Sequence, residues 1–458
     1  MTADIKLPQA NGVAMPATTL RRPRKGRKHL SADPLYELLH RSFQRVPDPR
    51  RDGSPIRLAD ALMSGLALFA LKDPSLLAFD SRRQDENMKR LFHIDRVPCD
   101  TQMRKTLDQV DPLDLRPAFR DVFREAQRGK VLNRLRFLGG CHLLLMDGTQ
   151  YFTSEAIHCE SCLKKEHQDG RVTYSHQMLS AVLAHPDHRE VIPLAPEPIG
   201  NGDGKSKNDC ERNAAGRLLR RIRAEHLHLK LIVVEDGLAS NAPHIRDLKA
   251  LRMHFLLGAK PGDHEFLYNR LMDEFDRDGV TVITWKEDGK TYEIHFVNGL
   301  PLNASNQDLL VNFLGYAEYD ADGNALKRFS WVTDLEITRR NCRDLVRGGR
   351  ARWKIENETY NTLKNQGYHF EHNFGHGERN LAVVFAMLMM LAFLVNQVEQ
   401  LCCPLFRAVL TKLRTKRAVW DQVRSHFQHF RCDSMRRIYE AILYDLTKNL
   451  PLPSVDSS

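Results

Sequence analysis

The sequence predicts an α/β protein: a mixed sheet flanked by helices, interrupted by a β-rich insertion, preceded by an all-α region and followed by a helical tail. Three observations lead there. Residues 143–150 (LLLMDGTQ) and 229–237 (LKLIVVEDG) are short apolar runs that each lead into an acid, and they read as buried strands of a sheet covered on both faces. Between 138 and 253, strand-like and helical pieces alternate around those two runs. From 33 to about 137, and again from 400 to 447, apolar residues recur at the spacings of three and four that mark helices.

Bulk properties bound the possibilities. At 458 residues with 42% hydrophobic content the chain has room for two or three domains with real cores, which excludes a disordered protein. Sixty-eight Lys and Arg against 58 Asp and Glu leave a net charge of +10. With a sequence pI near 9.1, this makes a polyanion the expected partner. The nine cysteines are scattered, and MTADIKLPQA lacks the charged-then-apolar layout of a signal peptide, so reduced thiols in a cytoplasmic protein are expected. The most apolar segment, 381–395, has 15 uncharged residues, short of the roughly 20 that cross a bilayer, and reads as a buried helix rather than a membrane span.

In chain order, residues 1–31 form a basic tail in which Arg21, Arg22, Arg24, Lys25, Arg27 and Lys28 crowd around Pro23 and Gly26. A solvated terminus and a phosphate-contacting arm both fit it. Residues 32–137 form a helical domain, with Asp100 or Thr101 as the cap of its third clear helix. Its Arg and Lys faces suit duplex DNA, and a cap that only packs fits equally. Residues 138–253 give the first part of a core: LLLMD, YFTSE, VTYSHQMLSAVLAH and a REVIPLAPEPI strand pair, then a helix from about 209 to 226 with Asp209 as its N-cap, then LKLIVVED. Strand, strand, strand, helix, strand is the order of a ribonuclease-H-like mixed sheet. The long interval between Asp236 and Glu356 requires an insertion, and 254–335 supply strand-like pieces separated by the turn signals EDGK and DADGN. Residues 336–399 complete the core, and 400–458 form a basic helical tail with Trp420 on its face.

The acids carry the chemistry. Asp147 and Asp236 stand at the ends of the two apolar runs, and the helical stretch 350–364 offers Glu356, with Glu358 as the fallback. Three carboxylates from distant segments suit two Mg²⁺ ions about 3.5–4 Å apart, with Mn²⁺ able to substitute, as phosphodiester cleavage needs. In that arrangement Asp147 bridges both ions while Asp236 and Glu356 each complete one site. Arg352, Tyr360 and Lys364 lie at multiples of four from Glu356 and share its face, where they would contact DNA phosphates.

These segments resemble the DDE-type insertion-sequence transposases, in particular the group with a β-rich insertion before the Glu and a Tyr-x-x-Arg-x-x-x-Glu-x6-Lys signature. RWKIENETYNTLKNQGYHFEHNFGHG is the most specific part. The resemblance implies Asp147, Asp236 and Glu356 as catalytic metal ligands, Arg352 as support for the Glu and the DNA backbone, and a homodimer holding two transposon ends. It also implies cleavage at terminal repeats, attack of the 3′-hydroxyl on target DNA, and a nucleoid-associated protein. The sequence departs from the signature in two places: the Tyr position falls on Gly349, and Lys364 follows Glu356 by eight residues rather than seven. Some relatives pass through a hairpin, for which Trp331 or Trp285 could hold a flipped base, although core positions suit both better. Two rivals stand beside this reading: a nuclease of the same fold that does not transfer strands, and an inactive domesticated DNA-binding protein.

Two further clusters are expected to carry less. His158, Cys159, Cys162, His167 and His176 have zinc-like character, yet one Cys-x-x-Cys is too little for a four-ligand site. Reduced, partly buried thiols are therefore expected; were zinc bound, Cys159, Cys162 and one or two of those histidines would hold it. His369, His372 and His376 sit among glycines and read as loop histidines that line a channel or pack. The loop GNGDGKSKND lacks phosphate-loop spacing, so no nucleotide site is expected.

Overall fold

The computed structural model describes residues 28–50, 54–200 and 210–446. The basic tail up to residue 27, nearly all of the GNGDGKSKND loop and the expected N-cap Asp209 lie outside the described residues. Six helices open the chain: α1 (Ala32–Phe43), α2 (Leu58–Ala70), α3 (Leu76–Asp80), α4 (Glu86–Phe92), α5 (Asp100–Leu107) and α6 (Arg116–Arg128). Cys99, not Asp100 or Thr101, stands at the cap of α5, because Asp100 is already inside the helix and pairs with Arg104 one turn on, at 2.6 Å. Every residue of α2 is buried, as befits a helix that is apolar all round.

Then come β1 (His142–Ser154), β2 (Leu163–Glu166), β3 (Val172–Ala184), β4 (Ile192–Pro193), β5 (Glu197–Ile199), α7 (Glu211–Glu225), β6 (Leu231–Glu235), α8 (Ala242–Ala250) and β7 (His254–Gly258). After α9 (Glu265–Asp276) follow β8 (Thr281–Glu287), β9 (Lys290–Asn303), β10 (Asn306–Tyr319) and β11 (Ala325–Thr333). All these strands belong to one 11-stranded sheet in the order β2-β3-β1-β6-β7-β11-β10-β9-β8, with β4 and β5 also on β3. β1, β6 and β7 run parallel, joined through α7 and α8, and the remaining pairings are antiparallel. Residues 254–335 thus contribute one parallel strand and four antiparallel ones that extend the same sheet. The EDGK turn closes the β8–β9 hairpin through Asp288 and Gly289, both at positive φ as such tight hairpin turns require.

The chain returns to the sheet through α10 (Cys342–Arg350), a π-helical turn (Ile355–Tyr360) and α11 (Asn361–Asn365), and ends in α12 (Leu381–Cys402), α13 (Pro404–Leu413), α14 (Lys416–His429) and α15 (Met435–Tyr444). The apolar segment is longer than the sequence suggests: α12 has 22 residues and is long and apolar enough to cross a membrane, but its apolar window is wholly buried inside the protein. α2, α5 and α6 pack on it from the N-terminal side and α13 from the C-terminal side. Its last turns carry polar groups with partners inside the core: Asn396 accepts from Lys72 Nζ at 2.8 Å, and Glu399 accepts from Tyr439 at 3.0 Å. Burial pushes Glu399 up to about 7.

Candidate active site

Asp147 does not end its strand. The buried run stops there, but β1 continues to Ser154, so Asp147 sits in mid-strand where one face of the strand emerges from the core. β1 pairs in parallel with β6 from His142 beside Leu231 to Leu145 beside Val234. Past the end of that ladder, Asp147 on β1 and Asp236 just after β6 line the same cavity. Asp236 is extended and leaves the sheet at that point, with Oδ1 accepting the Leu238 N–H at 3.0 Å. Two acids far apart in sequence thus line one cavity near the point where two parallel strands part. Glu235, one residue earlier, is buried and engaged by His244 at 2.6 Å.

Glu356 arrives from the π-helical turn. Arg352 spans the gap, with one guanidinium nitrogen 3.0 Å from Glu356 Oε1 and the other 3.5 Å from Asp147 Oδ2. The fallback, Glu358, faces elsewhere, toward Arg189 at 3.5 Å. Glu356 is therefore the helical acid linked through Arg352 to Asp147.

A fourth acid escaped the sequence reading. Glu211, in the first turn of α7, lies against β1 so closely that a Cβ on Gly148 would collide with its carboxylate. Asp147, Glu211 and Asp236 line one cavity of about 280 Å³. Its signal in the sequence is an acid in the first turn of the helix that feeds a core strand.

The electrostatics follow from this crowding. Burial raises the Asp147 carboxyl, Arg352 pulls it down, and Glu356, Glu211 and Asp236 push it up again, leaving it at about 6. Glu211 is raised by burial and by Asp236 and Glu235. Arg352 and Arg212 are the arginines beside these carboxylates, whose hard oxygen donors would suit Mg²⁺ or Mn²⁺ rather than a soft metal.

The other expected site residues divide. Tyr360, expected on a surface for phosphate, is instead buried and donates its hydroxyl to the Asp147 carbonyl at 2.6 Å, pinning the strand that carries the acid. Lys364 pairs with Glu371 at 2.7 Å and lines a separate polar cavity with Lys72, Arg417, Trp420 and Arg424. The π turn, which holds one residue more than an α-turn, changes the helical phase, so spacing by fours no longer keeps these residues on one face.

Of the tryptophans, Trp331 is buried and Trp285 stacks on Tyr292 and beneath Arg343. Trp353, which the sequence reading passed over, is 45% exposed and lines a cleft with Asp236, Arg350 and Arg352. His158 stacks on Tyr174, and His167 bonds to Thr173 at 3.0 Å, so neither joins the cysteines. His176 and His376 do: Cys159, Cys162, His176 and His376 bring their ligand atoms within 4.8 Å of one another.

No protein-family model matches this chain, and no curated protein matches it either.

Proposed function

We propose that this chain is a DDE-type DNA transposase, which cleaves at transposon ends and joins the 3′-hydroxyl ends to target DNA. The observation that carries the reading is that Arg352 bridges Asp147 and Glu356, from two distant segments, while Asp236 from a third lines a cavity with Asp147. Further support comes from the strand order, in which an antiparallel β3–β1 pair continues into parallel β6 and β7 as in ribonuclease-H-like cores. The antiparallel strands β8–β11 lie between Asp236 and Glu356, where the transposase group carries its insertion.

Both departures from the group's signature have a physical counterpart. A side chain at Gly349 would collide with the indole of Trp331, so an aromatic ring already fills the space beside that position. The extra residue between Glu356 and Lys364 coincides with the π turn, and π turns add one residue to a helix.

Asp147, Asp236 and Glu356, with Glu211 beside them, would hold two divalent ions. When bound, such ions relieve charge on the scissile phosphate and activate the attacking hydroxyl. The protein's own part is positioning. Tyr360 fixes the Asp147 backbone, Arg352 presents a planar guanidinium suited to a bidentate grip on phosphate, and Trp353 offers a ring beside that arginine for a base to stack on.

The test uses the purified chain with Mg²⁺ and labelled DNA carrying the sequences that flank its gene. Nicked ends and end-to-target joints are expected. Asp147→Asn, Asp236→Asn and Glu356→Gln should each lose both products while still shifting DNA in a gel. Cleavage with no joints would replace the proposal with a nuclease, and binding without cleavage in Mg²⁺ or Mn²⁺ would replace it with a DNA-binding protein.

A further inference from the structure

Four side chains from three parts of the chain converge beside the far end of β1. Cys159 and Cys162 sit in a tight turn between β1 and β2, closed by Cys162 N–H donating to the Cys159 carbonyl at 3.2 Å. His176 stands on β3, and His376 lies in the loop between α11 and α12, more than two hundred residues from the cysteines. Cys159 Sγ and Cys162 Sγ each lie 3.5 Å from His176 Nε2, and Cys162 Sγ lies 3.5 Å from His376 Nε2. The two sulfurs are 3.9 Å apart, far beyond the S–S bond of a disulfide.

Those four lengths match edges of a small tetrahedron, and all four ligand atoms lie within 4.8 Å of one another. With Zn–S near 2.3 Å and Zn–N near 2.0–2.1 Å, a tetrahedral ion sets its S···N edges at about 3.5 Å and its S···S edge at about 3.8 Å. Cys162, His176 and His376 are all less than a tenth exposed. Aromatic rings enclose them: Tyr151 stacks on His176, and the Phe152 ring centre lies 4.4 Å from that of His376.

The loop bearing His376 is held in advance. Asp108 accepts backbone N–H bonds from Glu378, Arg379, Asn380 and Leu381 at 2.9–3.0 Å. Gly377, at φ +74°, leaves room for that carboxylate, where a Cβ would collide with it.

We propose that Cys159, Cys162, His176 and His376 bind one Zn²⁺ in a closed tetrahedral site. Two thiolates and two imidazoles suit zinc over Mg²⁺ or Ca²⁺, and four protein ligands leave no position for substrate, so the ion is structural. It ties the β1–β3 pair, which carries Asp147, to the loop that follows the Glu356 helix. The proposal does not rest on transposase activity, because metal content is measured without DNA.

The full-length chain, purified without chelator, should contain one zinc per chain by elemental analysis and release it on mercurial modification of the thiols. Replacement by Co²⁺ should give strong visible bands of a tetrahedral ion together with thiolate-to-metal charge transfer. His376→Ala should weaken Zn²⁺ binding by more than the roughly 10–100-fold typical of outer-shell changes, while His158→Ala and His167→Ala leave it unchanged. A zinc-free protein that takes up no Co²⁺, Co²⁺ bound without thiolate bands, or unchanged affinity in His376→Ala would each overturn the site. The Co²⁺ spectrum is read on the unmodified chain, so a variant that fails to fold does not obscure the answer.

Discussion

Asp147→Asn should make the metal-free protein more stable at neutral pH while destroying its chemistry. A carboxyl held at about 6 against the ordinary 3.8 binds its proton more tightly in the folded state. That preference favours folding fully below the unfolded value and is lost as pH rises through about 6. The difference corresponds to about 3 kcal/mol between the two charge states. Because 24% of the Asp147 side chain is open to water, solvent screening reduces it, and about half, ~1.5 kcal/mol, is the expected gain for the uncharged amide. Arg352 keeps Glu356 as a partner in the variant. In EDTA at pH 8 the variant should melt roughly 1–2 °C above the wild type. At pH 4 the gap should close, because the wild-type carboxyl is then protonated. Millimolar Mg²⁺ should raise the wild-type melting temperature and leave the variant's in place. A variant less stable than wild type at pH 8, or a gap that ignores both pH and Mg²⁺, would show that Asp147 does not sit among competing carboxylates.

Three further outcomes are expected. Glu356→Gln should abolish Mg²⁺-dependent DNA cleavage, whereas Glu358→Gln, which faces Arg189, should stay within about two-fold of wild type; equal loss in both would remove the distinction drawn from their contacts. Tyr360→Phe removes the donor to the Asp147 carbonyl and should cost about 1–2 kcal/mol in urea unfolding with DNA affinity unchanged, so a selective loss of DNA binding would return Tyr360 to the DNA face. At Asp108, burial raises the carboxyl, but the four backbone N–H donors outweigh it and leave it lowered. Asp108→Ala should therefore destabilise the protein at pH 7 by about 1–2 kcal/mol. The deficit should shrink as pH falls through the carboxylate range, where the wild type is protonated too; a deficit constant with pH would deny the carboxylate its role.

The sheet was legible where burial on both faces leaves a continuous apolar run, as in 143–146 and 231–234. Strand limits were less so. β1 runs on through Gly148, Thr149 and Gln150 because β3 pairs with it along that length, a support no local pattern reveals. The extent of β10 was hidden similarly: it begins with the polar residues Asn306, Gln307 and Asp308, and up to Val311 only β9 pairs with it. Helical phase failed at Tyr360 and Lys364, since spacing by fours assumes an α-helix and residues 355–360 are wound as a π turn.

For the site, the sequence by itself determined which acids terminate apolar runs and which helix carries an Arg and a Glu one turn apart, because both are local patterns set by chain periodicity. Only the tertiary structure decided which of them meet. A shared cavity brings Asp147 and Asp236 together, the Arg352 bridge selects Glu356 over Glu358, and the close approach at Gly148 admits Glu211. It also brought His376 to the cysteines in place of the nearer His158 and His167. These are contacts between segments distant in sequence, and loop closure, governed by the packing of whole elements, leaves no periodic trace in the residues that it joins.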